Sequence, residues 1–595
     1  MPCTQVNNMI ATPTNNPLPL KSGDFPSLSD ALNYAGNGQT GCNFYSGRGK
    51  LTHVLSYSDL REQAQRLAKR LNSLGLPRGS RAALIADTTP DFIRFFFACQ
   101  YAGLIPVPLP ISLHLGGHQA YVTQLRRLIQ SCQASIAMAP AGFEPFLEEA
   151  SSGLGLSLVG GPEVFASLEE TQHPLCPLES HELAYIQYTS GSTRWPRGVE
   201  VTQAAVMANL SGIIQDGLQV RSGDRCVSWL PFYHDMGLVG FVLGPIASQL
   251  SVDYLSTRDF AMRPRQWLSL MTKSRATISF SPSFGYELCV RRLGEDSKEE
   301  YDLRAWRIAG VGAETIRADS LLRFAKALKP NGFTDQSFLA CYGMAECSLA
   351  ISFAPLSKGL EVDLVDGDWL SDRQEAIPLL PAVTKTDSQE TRCSKFVNCG
   401  TPLPGYEVQI RNLDGDVLGD RESGTIFVRG SSIMTGYFNA PELTKEVLSP
   451  EGWLNTGDIG YWVNNSLVII GRSKDLIIIK GRNIWPQDLE FLAEQQPEVR
   501  PGDSSTFSVS DPNGDELAII VIQCRESDVE KREQLVNRLR SLVYSELSIP
   551  CHIELIPPRT LPRTSSGKLS RSRAKADFLK RVQWEDLAPL SKAHS

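Results

Sequence analysis

The sequence lacks any run long and apolar enough to cross a bilayer as a helix. Phe92 to Leu109 comes nearest, and Arg94, Gln100, Gly103, Pro106, Pro108 and Pro110 break it, short of the roughly 20 apolar residues a span needs. The N-terminal stretch Met1 to Asp24 is rich in Asn, Pro and Thr and has no apolar core, so it does not read as a signal peptide. The thirteen cysteines include no C-x-x-C pair. Their odd number and the chain length argue against a secreted disulfide framework, and reduced thiols in a cytoplasmic protein are expected. Basic charge is not in excess. A net charge of −7 and a pI near 5.8 argue against a dedicated nucleic-acid binder. The most basic stretch, Arg559 to Arg581, is interrupted by Ser, Leu and Asp577. There is no internal repeat, and no G-x-S-x-G elbow surrounds Ser190 or Ser192, which argues against a serine hydrolase.

What is present is an ordinary globular composition, 42% hydrophobic and 21% charged, over 595 residues. That length suggests roughly three or four folding units. Residues 1–25 read as flexible. From Ser58, the residues Leu60, Ala64, Leu67, Ala68, Leu71 and Leu74 follow one helical face, which Gly75 and Pro77 end. Arg81 to Ala86 reads as a buried strand, Asp91 to Tyr101 as a helix and Ile105 to Leu109 as a strand. Such alternation implies α/β architecture with largely parallel sheets. It returns at Ser157 to Val159, Ala184 to Gln187, Arg225 to Leu230 and Thr277 to Phe280. After about Asn398 short strands separated by turns (Val408 to Arg411, Gly424 to Val428) suggest a β-rich subdomain over 398–472. Beyond Lys474, strands at Leu476 to Ile479, Leu517 to Ile522 and Ile553 to Ile556, with a helix from about Asp528 to Leu547, suggest a separate α+β unit over 476–595. Residues 473–475 are a candidate hinge.

One stretch stands out as chemistry. Tyr188-Thr189-Ser190-Gly191-Ser192-Thr193-Arg194-Trp195-Pro196-Arg197-Gly198 follows a short apolar strand and sets four hydroxyl residues around glycines and a cation. Glycines let backbone amides approach an anion closely, and hydroxyls in such a turn add donors. Helix-forming residues from Gln203 would aim a positive helix end at the loop. The pattern is not the nucleotide loop G-x-x-x-x-G-K-S/T. By itself it fits a polar surface loop equally well.

Five further stretches follow in order. Trp229 to Gly237 places His234 and Asp235 at a strand end. Gly312-Ala313-Glu314 follows another strand. Cys341-Tyr342-Gly343-Met344-Ala345-Glu346 sets a carboxylate four residues beyond an aromatic ring. Asn455 to Asp458 offers a second carboxylate, and Pro562 to Lys568 presents a lysine on a Gly/Ser loop. Taken singly, His234 is more often structural, Glu346 and Asp458 solvated, and Lys568 a surface lysine.

Taken together, these six ordered motifs resemble the adenylate-forming superfamily of acyl-CoA synthetases, nonribosomal adenylation domains and luciferase-like enzymes, over about residues 30 to 580. Gln187-Tyr-Thr-Ser-Gly-Ser-Thr, Pro231-x-x-His-Asp-Met-Gly-Leu, Cys341-Tyr-Gly-x-Ala-Glu and Lys474-Asp-Leu-Ile-Ile-x-x-Gly-x-Asn most resemble its fatty acyl-AMP ligases. The resemblance implies an α/β fold: a large N-terminal domain (26–472) of two α/β subdomains plus the β-rich one, a small mobile C-terminal lid, and a site between them. The implied reaction joins the carboxylate of a fatty acid, expected to be long-chain, to the α-phosphate of ATP and releases pyrophosphate. An ionised carboxylate needs no general base, so the work is charge neutralisation and alignment.

The resemblance also implies roles. Thr189, Ser190, Gly191, Ser192, Thr193 and Arg197 would cradle phosphates, with Arg197 standing where the family usually has lysine. Arg194 and Trp195 depart from its usual small residues. Glu346 would hold Mg²⁺. Tyr342, with Cys341, Gly343, Met344, Gly312, Ala313 and Glu314, would surround adenine. Asp458 would take the ribose hydroxyls, assisted by Arg472 and Lys474, and Lys568 would bridge carboxylate and α-phosphate. The acyl chain would run by His234, Ala345 and the segment Ser279 to Tyr286, with Ser281, Phe284 and the aromatic Phe280 and Tyr286 as its lining. Plain core packing fits that segment equally well.

The family differs internally in where the acyl group goes. The synthetases use CoA. The acyl-AMP ligases use an acyl carrier protein or a polyketide or nonribosomal synthase, and carry an extra segment. Here 54 positions separate Glu346 from Gly400, and Phe353 to about Val383 contains Leu360, Val362, Leu364, Trp369, Ile377, Leu379 and Leu380. A loop this long with so many apolar residues is expected to pack, on the N-terminal domain, and to disfavour CoA chemistry. The alternatives are a fatty acyl-CoA synthetase and a catalytically silent homologue. Retention of Glu346, Asp458 and Lys568 together argues against silence.

Overall fold

A computed structural model describes residues 18–111, 117–189, 197–293, 301–379, 392–479, 482–510, 516–547, 549–564 and 568–582. Ser190 to Thr193, Arg194, Trp195, the Ser565 to Gly567 stretch, most of the N-terminal 25 residues and the end of the 353–383 segment lie outside these. Two sheets dominate the first 350 residues. One has nine strands and the other four, Ile105–Leu109, Arg81–Ile85, Ala134–Met138 and Leu158–Gly160, all parallel. In the nine-stranded sheet the six strands from Gly41–Tyr45 to Phe338–Gly343 run parallel, and antiparallel strands close both edges. Central strands such as Arg225–Ser228, Ile278–Ser281 and Ile308–Val311 are buried at every residue, as a parallel sheet covered on both faces requires.

Helix Tyr57–Asn72 shows how local sequence sets these elements. Ser56 Oγ accepts the Asp59 amide at 3.0 Å and donates to the Asp59 carboxylate at 2.7 Å, a reciprocal cap. Leu60, Ala64, Ala68 and Leu71 are its buried stripe, and the small alanines let helix Pro90–Ala102 pack closely against it. Gly75, at a φ of +63°, turns the chain away. Within the nine-stranded sheet Arg225 makes two hydrogen bonds to Asp253, at 2.8 and 2.7 Å, and Asn43 makes a third at 2.8 Å.

The hydroxyl-rich loop sits in a different setting from the one expected. Strand Leu183–Tyr188 pairs antiparallel with Gly198–Thr202, and Thr189 N–H donates to the Arg197 carbonyl at 3.0 Å across the neck. The loop is therefore the tip of a hairpin. Helix Gln203–Gly212 begins at the far end of the second strand, where the Gln203 amide meets the Glu182 carbonyl. The start of this helix is therefore separated from the loop by the length of the strand, and the expected helix end at the loop is not supplied by it.

A four-stranded antiparallel sheet (Tyr406–Arg411, Gly424–Gly430, Leu454–Val463, Ser466–Arg472) follows. The excursion preceding it is broader than the 353–383 stretch. It leaves strand Ala350–Phe353, forms a hairpin of Val362–Asp366 with Cys393–Val397, and returns at Thr401–Pro402, which pairs back onto Ala350–Phe353. Its Val365, Leu370, Ala376 and Phe396 share one core with Tyr461, Val463, Val468 and Ile470 of the antiparallel sheet, and with Trp485 further along the chain. The C-terminal region holds a three-stranded sheet, Ser504–Ser510, Glu516–Gln523 and Cys551–Ile556. Helix Val529–Leu547 makes the crossover between its parallel pair. Strand Ser504–Ser510 has four serines and a threonine among its seven residues, which hid it from an apolar pattern. No helix among the described residues is long and apolar enough to cross a membrane, and the twelve described cysteines are all free thiols.

Candidate active site

The motif residues gather outside the carboxyl ends of the parallel strands of the nine-stranded sheet, where α/β folds bind ligands. Arg225–Ser228 leads into His234 and Asp235, Ile308–Val311 into Gly312, Ala313 and Glu314, and Phe338–Gly343 carries Cys341, Tyr342 and Gly343. Close backbone approaches fix these turns. A Cβ on Gly343 would lie 1.9 Å from the Leu349 carbonyl oxygen, and one on Gly237 would lie 2.1 Å from that of Pro231. Ala313 and Ser348 adopt left-handed φ values of +66° and +65°, a strained state for non-glycine residues that often marks functional turns.

Charged groups converge from three directions. The His234 ring sits 2.5 Å from the Asp235 carboxylate through Nδ1, and its Nε2 is 3.5 Å from Lys568 Nζ. Gln187 donates to the Tyr233 carbonyl at 2.6 Å, tying the histidine turn to the strand before the hydroxyl loop. Burial pushes the Asp235 carboxyl up, but the His234 and Lys568 charges outweigh it and hold the group below the usual carboxylate range. Burial drives the Lys568 ammonium below the ordinary lysine range, against the pull of Asp235 and Glu314. Glu314 lies on the same side, accepts the Phe284 amide at 3.2 Å, and is pushed up by burial.

Asp458 and Arg472 are direct cross-strand partners, which places the guanidinium 3.2 Å from one carboxylate oxygen. Tyr342 donates to the other oxygen at 2.7 Å. The two motifs that sequence reading assigned to ribose and adenine are thus joined by a hydrogen bond. Lys474 lies in the turn just beyond, in Ser473–Asp475. Glu346 is buried and accepts the Tyr437 hydroxyl at 2.9 Å. The Arg197 guanidinium lies over the Tyr437 ring, 5.1 Å from its centre. Burial lifts the Glu346 carboxyl above its ordinary range. No motif contains Tyr437. The pairing of Gly436–Tyr437 with Gly198–Thr202 brings it in, and no local signal could have found it.

Beneath Tyr342 and Asp235 lies a cavity of about 70 Å³, almost wholly apolar. Ile213, Ile214, Gly240, Phe241, Phe280 and Phe353 are among its walls. Two of those walls, Ile213–Gly217 and Val239–Leu243, are π-helical turns, which widen a helix locally and recur at functional sites. Phe280 lines this cavity as expected, but Ser279, Ser281, Phe284 and Tyr286 do not, nor does Ala345. The reason is strand alternation. Ile278 and Phe280 face the cavity, so Ser279 faces away, where it accepts from Trp267 at 2.9 Å and donates to Val227 at 2.7 Å. Ser281 bonds the Pro282 carbonyl, Phe284 packs edge-on against Trp229, and Tyr286 is buried with its hydroxyl on the Gly310 carbonyl. Ala345 is buried in the turn Ala345–Cys347.

A polar cleft above an apolar cavity suits a ligand with a polar head and an apolar tail. The chain belongs to the AMP-binding enzyme family, whose pattern matches residues 43–438. It is 44% identical over 573 residues to a Caulobacter vibrioides protein whose name assigns it provisionally to the acyl-CoA synthetases, covering 96% of this chain and 98% of that one. It is 31% identical to the medium-chain fatty-acid–acyl-carrier-protein ligase JamA of Moorena producens, over 94% of this chain and 97% of that one. A solved structure from a study of fatty acyl-adenylate ligases from E. coli and L. pneumophila superposes with a TM-score of 0.89 at 46% identity, covering 95% of this chain and 99% of that one.

Proposed function

We propose that the protein is a fatty acyl-AMP ligase that passes its acyl group to the thiol of an acyl carrier protein. A carboxylate oxygen of the acid attacks the α-phosphorus of ATP, the bond to the β-phosphate oxygen breaks, and pyrophosphate leaves with the electron pair. In the second step the carrier thiolate attacks the acyl carbonyl and AMP departs. The observation that carries the reading is the juxtaposition of Lys568 with His234 and Asp235 directly above the apolar cavity. A chain seated in the cavity would present its carboxylate to that lysine, whose charge would bridge it to the α-phosphate. Thr189, Arg197 and the loop between them would hold the β- and γ-phosphates. Tyr342 and the Gly312–Glu314 turn would hold adenine, and Asp458 with Arg472 the ribose. A relative named for acyl-carrier-protein ligation and a 46%-identical structure from a study of fatty acyl-adenylate ligases support the assignment.

Magnesium fits this arrangement. Glu346 is a buried oxygen donor whose charge the site leaves costly, and no group of three or more His, Cys, Asp and Glu residues suited to a metal exists among the described residues. That pattern suits an ion held by one carboxylate with phosphates and water supplying the rest. Bound there, Mg²⁺ would neutralise phosphate charge.

The cavity as it stands takes only the first part of an acyl chain. Its roughly 70 Å³ is under half of the 150 Å³ or so that accepts one benzene ring, so a long chain fits only if Phe241 or Phe353 swings aside. The 354–400 excursion supports the choice of carrier protein over CoA. It shares a core with the antiparallel sheet and reaches the C-terminal region through Arg482 to Asp368, Asn483 to the Ser371 carbonyl, and Arg392 to Asp488. A segment bonded to both sides would resist the rotation that brings CoA to the adenylate in synthetases. The test is a product assay with ATP, Mg²⁺ and a fatty-acid panel, with and without CoA and a phosphopantetheinylated carrier. Acyl-AMP that accumulates regardless of CoA and moves to the carrier is the expected result. Rapid acyl-CoA formation would make the protein a synthetase.

A further inference from the structure

Helix Pro486–Glu494 carries two buried glutamates one turn apart, Glu490 and Glu494, whose side chains are only 2% and 7% exposed. Neither belongs to a sequence motif, and both are fully partnered. Glu490 takes Arg571 in a two-pronged contact at 2.9 and 2.8 Å and accepts the Thr506 amide at 3.0 Å. Arg571 donates a third N–H to Asp475 at 3.0 Å. Glu494 accepts the Gly502 amide at 2.6 Å and the Ser504 hydroxyl at 3.1 Å, and on its other side it pairs with Arg317, which is also 3.9 Å from Glu490.

The sequence positions of these arginines give the network meaning. Arg317 is three residues past Glu314, in the turn that faces Lys568. Arg571 is three residues past Lys568 itself, at the first position of helix Arg571–Arg581. The Lys568 loop is closed at its neck by Thr564 N–H to the Lys568 carbonyl at 2.7 Å and Ser570 N–H to the Pro562 carbonyl at 3.0 Å. Holding Arg571 therefore holds the root of that loop. A line of alternating charge runs from the N-terminal domain through both glutamates to the lysine loop and to Asp475 in the Ser473–Asp475 turn. An apolar contact would tolerate sliding, whereas a two-pronged guanidinium–carboxylate contact accepts one geometry.

We propose that Arg317 and Arg571 are positioning residues for Lys568. Together with Glu490 and Glu494 they form an ionic latch that docks the C-terminal region in the orientation that makes the acyl-adenylate. The inference rests on the adenylating reading above. The residues touch no substrate and act through the lysine loop. The seam-crossing member, Arg317–Glu494, is the one that must open whenever the two parts separate.

The test is a charge swap in the full-length protein. Arg317→Glu places a third acid against the two glutamates and is expected to lower acyl-adenylate formation at least about 30-fold, the scale of an opened buried charge pair. Arg317→Glu with Glu494→Arg restores opposite charges across the seam but leaves the Gly502 amide and the Ser504 hydroxyl without their acceptor, so it is expected to recover in part, at least about fivefold above the single variant. Hydrogen exchange at Lys568–Arg571 reads the same latch without activity. It is expected to speed up in the single variant and return in the swap. A single variant with parent-like activity and exchange, or a swap that recovers neither, overturns the latch. If the parent makes no acyl-adenylate yet exchange responds to the swap, the latch stands as a docking device and the adenylating reading alone fails.

Discussion

Gly240→Leu tests the acyl cavity most directly. Gly240 lines the cavity within the π-helical turn Val239–Leu243. A Cβ there would meet only Leu349 Cδ2 at 3.5 Å, an ordinary contact, and its φ is not in the left-handed region. Replacing a helical glycine with leucine even favours the helix by up to about 1 kcal/mol, so loss of folding is not the expected outcome. The helical segment runs from Asp235, at the cavity mouth, toward Ser248. Gly240 is thus about 7 to 8 Å inside, at roughly 1.5 Å per residue. An extended chain of 1.5 Å bonds advances about 1.3 Å per carbon, so the new side chain meets the acyl chain near the sixth carbon. Excluding three methylenes costs roughly 2.4 kcal/mol at about 0.8 each, or about 60-fold in kcat/KM. The assay is pyrophosphate release across a saturated chain-length series. Acids of about six carbons or fewer should keep their rates within about threefold, and longer ones should lose them. A uniform fall at every length, or an unchanged optimum, would refute the placement of the chain in this cavity.

Lys568→Ala should lower acyl-adenylate formation by roughly 10²- to 10³-fold, as loss of a preorganised charge does, while ATP binding measured by calorimetry changes little. The same lysine sets a pH limb. Its folded pKa is lowered by burial, so the free enzyme loses the active ammonium as pH rises through a value below the ordinary lysine range. The kcat/KM profile should fall there, and Lys568→Arg should remove that limb. Asp253→Ala leaves Arg225 buried without its two-pronged partner, and urea unfolding should show a loss of about 3 to 5 kcal/mol. Tyr437→Phe deletes the one hydroxyl bonded to Glu346 Oε1. The magnesium concentration for half-maximal activity should shift by about 10- to 150-fold, since a hydrogen bond to a charged group contributes about 1.5 to 3 kcal/mol.

The motifs were legible because each packs its information into consecutive residues at a strand end. The α/β alternation was legible because the periods of apolar residues switch cleanly between helix and strand. What escaped depended on pairings remote in sequence. Gly198–Thr202 is only five residues long and went unassigned as a strand, so the hairpin was missed and a helix end was expected at the loop. The Ser279–Tyr286 segment was correctly apolar, but its alternation does not say which face of the sheet meets the cavity. Only the neighbouring strands decide that, and they choose Ile278 and Phe280. The 353–383 stretch ended too early because its partner strand, Cys393–Val397, returns after residues of another texture. Tyr437, Arg317 and the two glutamates of helix Pro486–Glu494 carry no local pattern at all.

The excursion and the ionic latch make opposite demands on the C-terminal region, and their chemistry shows how both can hold. The excursion is anchored by apolar packing: Val365, Leu370, Ala376 and Phe396 against Tyr461, Val468 and Ile470. Removing it would uncover that core, and any resulting gain or loss of activity would be confounded with unfolding. Its reach to the C-terminal region, by contrast, is largely polar and part-exposed, through Arg482, Asn483 and Asp488. Such contacts contribute little each and exchange readily with water. The latch crosses the seam through Arg317 and the buried Glu494 carboxylate, and the two-pronged Arg571–Glu490 contact behind it lies within the C-terminal region. A carrier protein delivering its thiol therefore has to overcome chiefly the latch, whereas a full rotation would also have to break the tether to the excursion. Arg482→Ala, Asn483→Ala and Asp488→Asn together remove the three polar contacts and spare the apolar core. Under this argument acyl-CoA formation rises in that variant while acyl-adenylate formation stays within about threefold, because the pairs removed are worth about 1 kcal/mol or less at a part-exposed site. If CoA remains unused after the tether is cut, the discrimination resides elsewhere, in the walls of the cleft rather than in the reach of this excursion.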